Sequence, residues 1–452
     1  MKSNHLGLNI FIFVYIALWA STPLISLYPN GIILYGCIYF LLLFVILFDS
    51  TKNTFSFLLA FSTFLYFYQF PLINTFSNDT PAHQYNIILL PNQLIQMAIV
   101  YNTILLLLYI CIKFIEKNIS PEKVKEAITN YHLVDLLFFI SSILSLILVF
   151  YSIARAGGVN AYFALDKFQA LEVSKFIYFN YNHFSILAFL LGALSKNRII
   201  RLLAWGLITF IILFNVLSAM RYMLLFGGVI AFSVMVKRVK FWHILLAFSG
   251  AILGGLTKLV YYNLKLFFLG KIPADKIIWF DFDTFYQTVI LFQDGQGNLL
   301  LFAQYIGRFT SYDYFKLMSG IFVNSVPFSS IVWGENSSAG DLMQEHLGIA
   351  WGGLASAPYI IPYMCFGLFG IVLIYYAYYL TLYTFSRVIN SETMITSLLF
   401  FSSIPFTLIY FQRNELSAIY KNFFIEFAAI IIIVFIAKSM QLLLSKKAIN
   451  DL

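Results

Sequence analysis

Charge is scarce in this chain of 452 residues: Asp, Glu, Lys and Arg together make up 11% of it. Soluble domains carry about 25%, so a water-soluble globular protein is excluded. The net charge of +8 does not gather into a basic domain, which removes nucleic acid as a partner. Most basic residues sit at the ends of apolar runs, where membrane topology accounts for them. Cysteine is equally sparse. Cys37, Cys111 and Cys365 all lie inside apolar runs, with neither metal-ligand spacing nor the pattern of a disulfide framework. No histidine–carboxylate spacing suggests a zinc site, so no metal and no cofactor is expected. A phosphate-cradling loop is also missing: Gly352-Gly353 lacks the Lys-Ser/Thr that would follow in one.

What the chain has instead is apolar length. Hydrophobic residues make up 61% and aromatics 19%, and the mean hydropathy is +0.85. A bilayer-crossing helix needs about 20 apolar residues, and runs of that order recur throughout. They predict an all-α polytopic membrane protein of about twelve transmembrane helices, near 8–28, 31–48, 54–73, 94–115, 133–153, 178–194, 202–218, 221–237, 241–260, 358–383, 396–412 and 418–437. The first run has the outline of a signal peptide. It lacks a small-residue cleavage site and many spans follow, so it is expected to stay as the first helix. One set of short loops holds Lys2, Lys52, Lys113 to Lys125, Lys196, Arg198, Arg201, Lys237, Arg238, Lys240, Arg387, Lys446 and Lys447. The positive-inside rule makes that side cytoplasmic and places both termini there.

One stretch breaks the pattern. Residues 259–357 contain no membrane-length apolar run, yet Trp279, Phe285, Tyr305, Phe309, Tyr312 and other aromatics recur through them. Apolar surface on that scale has to be buried, so the segment is read as a cap of short amphipathic helices on the outer face, between helices 9 and 10. The chain divides accordingly into 1–258, 259–357 and 358–452.

Several charged residues stand where chemistry is plausible. Arg221 is flanked by apolar sequence on both sides. It fits either a helix-end anchor that snorkels to headgroups or a guanidinium awaiting an anion such as a lipid-linked phosphate. In the cap, Gln304, Arg308 and Tyr312 recur every four residues and share a helix face. Arg413 closes the eleventh run, with Glu415 close enough to pair with it, and Arg155 marks another outer helix end before Ala156-Gly157-Gly158. A helix over 340–346 sets Asp341 and Glu345 on one face with His346 about 100° away, a carboxylate and imidazole set able to take a hydroxyl proton. His83 and His183 are the other outer histidines and read as polar interface residues. Glu426, well inside the last run, is an intramembrane carboxylate and by default a functional candidate; Lys421 and Asn422 are its nearest possible partners along the chain.

This layout resembles the Wzy-type O-antigen and polysaccharide repeat-unit polymerases. The points of likeness are some twelve spans with both ends inside, one large outer loop between late spans, and an arginine opening the helix after Ser218-Ala219-Met220. Ser338–Gly370, with Gly348, Gly352-Gly353, Pro358 and Cys365-Phe366-Gly367-Leu368-Phe369-Gly370, looks like the loop exit and following helix of that family. The chain departs from it at one motif. Some members carry Arg followed by ten residues and Gly; here Arg308 meets Gly320, one place too far, and Arg155 and Arg221 have Asp166 and Phe232 at the glycine position.

The resemblance implies a bacterial inner-membrane glycosyltransferase whose cap faces the periplasm. Its donor would be a growing glycan on undecaprenyl diphosphate, its acceptor a single lipid-linked repeat unit, and a chain-length regulator protein a possible partner beside the membrane lipids. On that implication Arg221, Arg308 and Arg413 bind the diphosphate, Glu345, His346 or Asp341 takes the acceptor proton, and Tyr305, Tyr312 and Trp333 stack on sugar rings. An O-antigen ligase shares the layout. A lipid-linked oligosaccharide flippase, or a proton-coupled transporter using Glu426, is the alternative from a different class.

Overall fold

The computed structural model describes residues 3–28, 30–68, 70, 91–165, 167–176, 179–217, 222–277, 282, 320, 321, 323, 357–389, 393–412 and 416–450. Among them the regular structure is helical, with one isolated bridge between Phe176 and Phe179 and no strand. The helices before the long insertion are α1 (Ser3–Ser21), the single turn α2 (Leu24–Leu27), α3 (Gly31–Asp49), α4 (Thr54–Phe67), α5 (Pro91–Asn118), α6 (Pro121–Thr129), α7 (Val134–Arg155), α8 (Val159–Ala164), α9 (Lys167–Val173), α10 (Tyr181–Ala193), α11 (Arg198–Leu217), α12 (Tyr222–Met235) and α13 (Phe241–Phe268). After it come α14 (Ile360–Phe366), α15 (Leu368–Ile389), α16 (Met394–Ile404) and α17 (Leu416–Asn450).

Eight described helices are long and apolar enough to cross a membrane, and four shorter apolar stretches stand beside them: Thr54–Phe67, Tyr181–Ala193, Leu225–Met235 and Phe241–Leu253. The chain is a multi-pass, all-α membrane protein. Its outer surface carries the matching side chains, with Phe13, Phe150, Leu202 and Phe435 each more than two-thirds exposed. A contiguous apolar surface of this kind suits lipid and not water. Helices α4 and α10 are the reverse. Apart from Leu65 and Ala193 every residue in them is buried, so they stand inside the bundle, shielded by their neighbours.

One end of the bundle holds the basic connections and is tied together by polar contacts. Asn53 caps α4, its Oδ1 accepting from the Phe55 N–H at 2.9 Å, while its Nδ2 donates to the Ile119 carbonyl at 2.6 Å beyond the end of α5. Thr54 Oγ1 donates to the Val236 carbonyl at 2.9 Å, and Lys125 Nζ reaches the same oxygen at 3.4 Å. A cation and a hydroxyl thus satisfy a carbonyl just past the end of α12, where none is available within the helix. Lys125 belongs to the buried face of the amphipathic α6 with Val124 and Ile128. Burial holds its amine below the usual lysine range, with Glu122 opposing the shift and Lys237 adding to it. Lys113 sits between Asp49 (2.7 Å) and Glu116 (2.6 Å).

Three spans depart from their expected outlines. Helix α13 continues through 259–268, into the segment read as cap. The run expected at 358–383 is two helices, broken where Gly367 takes φ +59°, a left-handed turn that favours glycine. Three residues on, a Cβ at Gly370 would overlap the Pro362 carbonyl. The Cys365–Gly370 motif is therefore the corner between α14 and α15. The run at 396–412 begins as α16, passes through a π turn at Pro405–Ile409 and ends in a 3-10 turn at Tyr410–Gln412.

Replacing Asn53 with Ala removes a cap and leaves a buried carbonyl without its donor, a loss of about 2 kcal/mol. Thermal unfolding in detergent should show a lowered midpoint for Asn53→Ala and none for Ser26→Ala, whose exposed hydroxyl bonds only to Pro23 three residues back.

Candidate functional site

The polar side chains inside the bundle converge on the first turn of α10. Asn180 caps that helix, its Oδ1 accepting from the Asn182 N–H at 2.9 Å, and Tyr181, Asn182, His183 and Ser185 follow, all buried. Each finds a partner on a different neighbour. Ser185 Oγ lies 2.6 Å from Ser145 Oγ of α7. Asn215 of α11 donates from Nδ2 to Asn182 Oδ1 at 3.0 Å and accepts at Oδ1 from the Tyr181 hydroxyl at 3.4 Å. Tyr162 of α8 extends the chain, its hydroxyl 3.3 Å from that of Tyr181.

His183 points the other way, to α17. Its Nδ1 shares a 2.7 Å hydrogen bond with Oε1 of Glu426, and the two side chains are 5% and 0% exposed. Glu426 Oε2 is buried and has no hydrogen-bond partner among the described residues. In a low-dielectric interior a carboxylate survives only with a partner, since the effective cost of burying a lone ion is several kcal/mol. Along the chain Glu426 has Lys421 and Asn422 as its nearest possible partners and His183 reads as an interface residue; the fold brings together Glu426 and His183, 243 positions apart. No local signal marks the pairing. A histidine and a carboxylate each flanked by apolar runs are its only trace in the sequence.

A second polar seam lies around Tyr35, Asn102 and the π turn. Tyr35 donates to Asn102 Oδ1 at 2.7 Å, Asn102 Nδ2 donates to Thr22 Oγ1 at 3.2 Å, and the Tyr101 and Tyr359 hydroxyls are 2.7 Å apart. Where α16 winds into its π turn, carbonyls leave the helical ladder. The Thr407 carbonyl accepts from the Tyr378 hydroxyl at 2.6 Å and the Leu408 carbonyl from Ser62 of α4 at 2.7 Å. Irregular backbone at membrane depth persists only when neighbouring side chains satisfy it in this way. The turn carries Gln412 into the interior, where its Oε1 accepts from Tyr375 at 3.4 Å and its Nε2 stays buried with no partner among the described residues.

Set beside known proteins, the chain matches no family model, no curated protein and no solved structure.

Arg221, Arg308, Arg413, Asp341, Glu345, His346, Tyr305, Tyr312 and Trp333 all lie outside the described residues. Arg155 is described, and its role is structural. Its Nη1 donates to the carbonyls of Glu172 (3.2 Å) and Lys175 (3.1 Å), closing the C-terminal end of α9 as a cation does at a helix end. Lys265, within the expected cap, lies on α13 and donates to the Leu165 carbonyl at 2.6 Å. A half-open cleft of about 570 Å³ occurs at the basic end, lined by Lys123, Glu126, Tyr131, Met394, Val434 and Lys438 among others. It lies at the opposite end of α10 from His183, so the volume and the buried titratable pair belong to different places.

Removing one member of a buried ion pair costs about 3–5 kcal/mol, while replacing both by apolar side chains is close to neutral. Glu426→Ala should therefore lower the unfolding midpoint sharply, and His183→Leu with Glu426→Leu should restore most of it. Asn215→Leu, which strands Asn182 Oδ1 and the Tyr181 hydroxyl, should cost about 1–3 kcal/mol in the same assay.

Proposed function

We propose that this chain polymerises lipid-linked oligosaccharide repeat units at the outer face of the bacterial inner membrane. The observation that carries the reading is where the long insertion enters. Helix α13 leaves the basic end at Lys240 and α15 returns to it at Arg387, so the chain between Phe268 and Ile360 starts and finishes at the opposite end. With the four shorter stretches crossing beside the eight long helices, the reading has twelve crossings with both termini at the basic end, which the positive-inside rule would make cytoplasmic. The insertion is then a periplasmic cap between crossings 9 and 10.

The chemistry follows from the leaving group. The acceptor hydroxyl loses its proton to Glu345, His346 or Asp341, its oxygen bonds the anomeric carbon of the donor glycan, and the bond from that carbon to the polyprenyl diphosphate breaks. Negative charge accumulates on the departing diphosphate, and Arg221, Arg308 and Arg413 supply the fixed positive charge that stabilises it. Each such donor is worth about 3 kcal/mol of barrier, roughly a hundredfold in rate. Tyr305, Tyr312 and Trp333 hold the sugars by stacking. The carrier reading ranks second because Glu426, paired to His183, is the one carboxylate in the interior of the described spans, and a proton pathway needs a relay of such groups.

The test is a deletion strain complemented with Arg221→Ala, Arg308→Ala and Glu345→Gln, its lipopolysaccharide run on a gel. Loss of the ladder with the single-repeat band retained is the expected result. Wild-type ladders from all three at equal protein level would sink the proposal, and loss of the single-repeat band as well would point to a ligase.

A further inference from the structure

Among the described residues, His183 and Glu426 answer each other's charge alone. Of the elements packed around them, α7 carries charge only at its ends (Asp135, Arg155), α11 only at Arg198 and Arg201 in its first turn, and the described residues of α12 and of α16 with its π turn carry none. On α17 the nearest charges are Lys421 and Lys438, both exposed. Lys421 is five residues away and about 140° round the helix, and Lys438 about three turns along it. The neighbouring phenols are engaged with neutral partners, Tyr181 with Asn215 and Tyr162, and Tyr420 with Thr381 at 2.7 Å.

The 2.7 Å Nδ1···Oε1 contact is shared by an imidazole and a carboxyl group. With one proton between them beyond that of the neutral ring, the pair is neutral overall. Removing it leaves a neutral imidazole against a carboxylate, a net negative charge; adding a second leaves an imidazolium facing a neutral acid, a net positive one. Either change breaks the charge balance where no third charged group among the described residues restores it, and Glu426 Oε2 has no donor among them to share the load. We propose that His183 and Glu426 form a membrane-buried proton-binding site, and that the contact between α10 and α17 opens and closes with the proton count of this pair. The ligand is the proton itself. On uptake an N–H or O–H bond forms and the net charge of the pair rises by one; release reverses this, with the aqueous phase as source and sink.

The test uses the full-length protein in nanodiscs. Unfolding midpoints are followed across a pH series for wild type, Glu426→Gln, and His183→Leu with Glu426→Leu. The wild-type advantage over Glu426→Gln should peak at one pH and shrink on either side, while the doubly apolar variant shows no such peak. Parallel curves for all three would overturn the proposal. This readout needs no substrate, so it stands or falls apart from the polymerase reading.

Discussion

Within a bilayer a buried polar group has no water to fall back on, and this rule organises the bundle around α10. The helix is sealed on every side, yet its first turn reads Tyr-Asn-His-Phe-Ser. Each polar side chain therefore dictates a neighbour: Ser145 on α7, Asn215 on α11, Glu426 on α17. Apolar contacts between membrane helices are weakly selective because lipid tails offer similar ones. The hydrogen bonds of this turn select, from many comparable packings, the one that places all three partners.

The same rule explains the irregular features. The π turn after Pro405 frees carbonyls, and Ser62 and Tyr378 are there to take them. At the basic end the connections are short, and Asn53, Thr54 and Lys125 occupy carbonyls that the helices leave open. Short buried helices such as α4 and α10 are tolerable because their ends meet protein groups. A lipid-facing helix of 13 or 14 residues would reach only about 20 Å of a hydrocarbon core about 30 Å thick.

Much of this architecture was legible in the sequence, because apolar runs bounded by charge reflect a physical requirement of spanning. Helices fall on the expected runs, and Lys240 and Arg387 mark ends as anticipated. The misreadings have a common cause. Hydropathy reports how much of a residue is wanted out of water and says nothing of which neighbour it meets. So Pro405 passed as part of one straight run, Gly367 as an interior position, and His183 as an interface residue. Arg155 reads only as a helix end because the carbonyls it bonds belong to the end of α9, some twenty residues on. A pairing across 243 residues is a property of the packed bundle and leaves no period in the chain.

The presence of the His183–Glu426 pair is itself an argument about role. A buried ion pair is no better for stability than two apolar side chains of similar volume, and is often worse. The other well-attested reason to keep one is to fix register, but Asn182, Ser185 and Tyr181 already fix that of α10 against α7 and α11. Helix α17 meets the bundle through a long apolar face that includes Ala429, Ile430, Ile433 and Ala437, all fully buried. A leucine pair would serve that contact as well as the charges do. What apolar residues lack is a proton to gain or lose, and that difference is the ground for proposing that the pair serves the working of the protein over its scaffold.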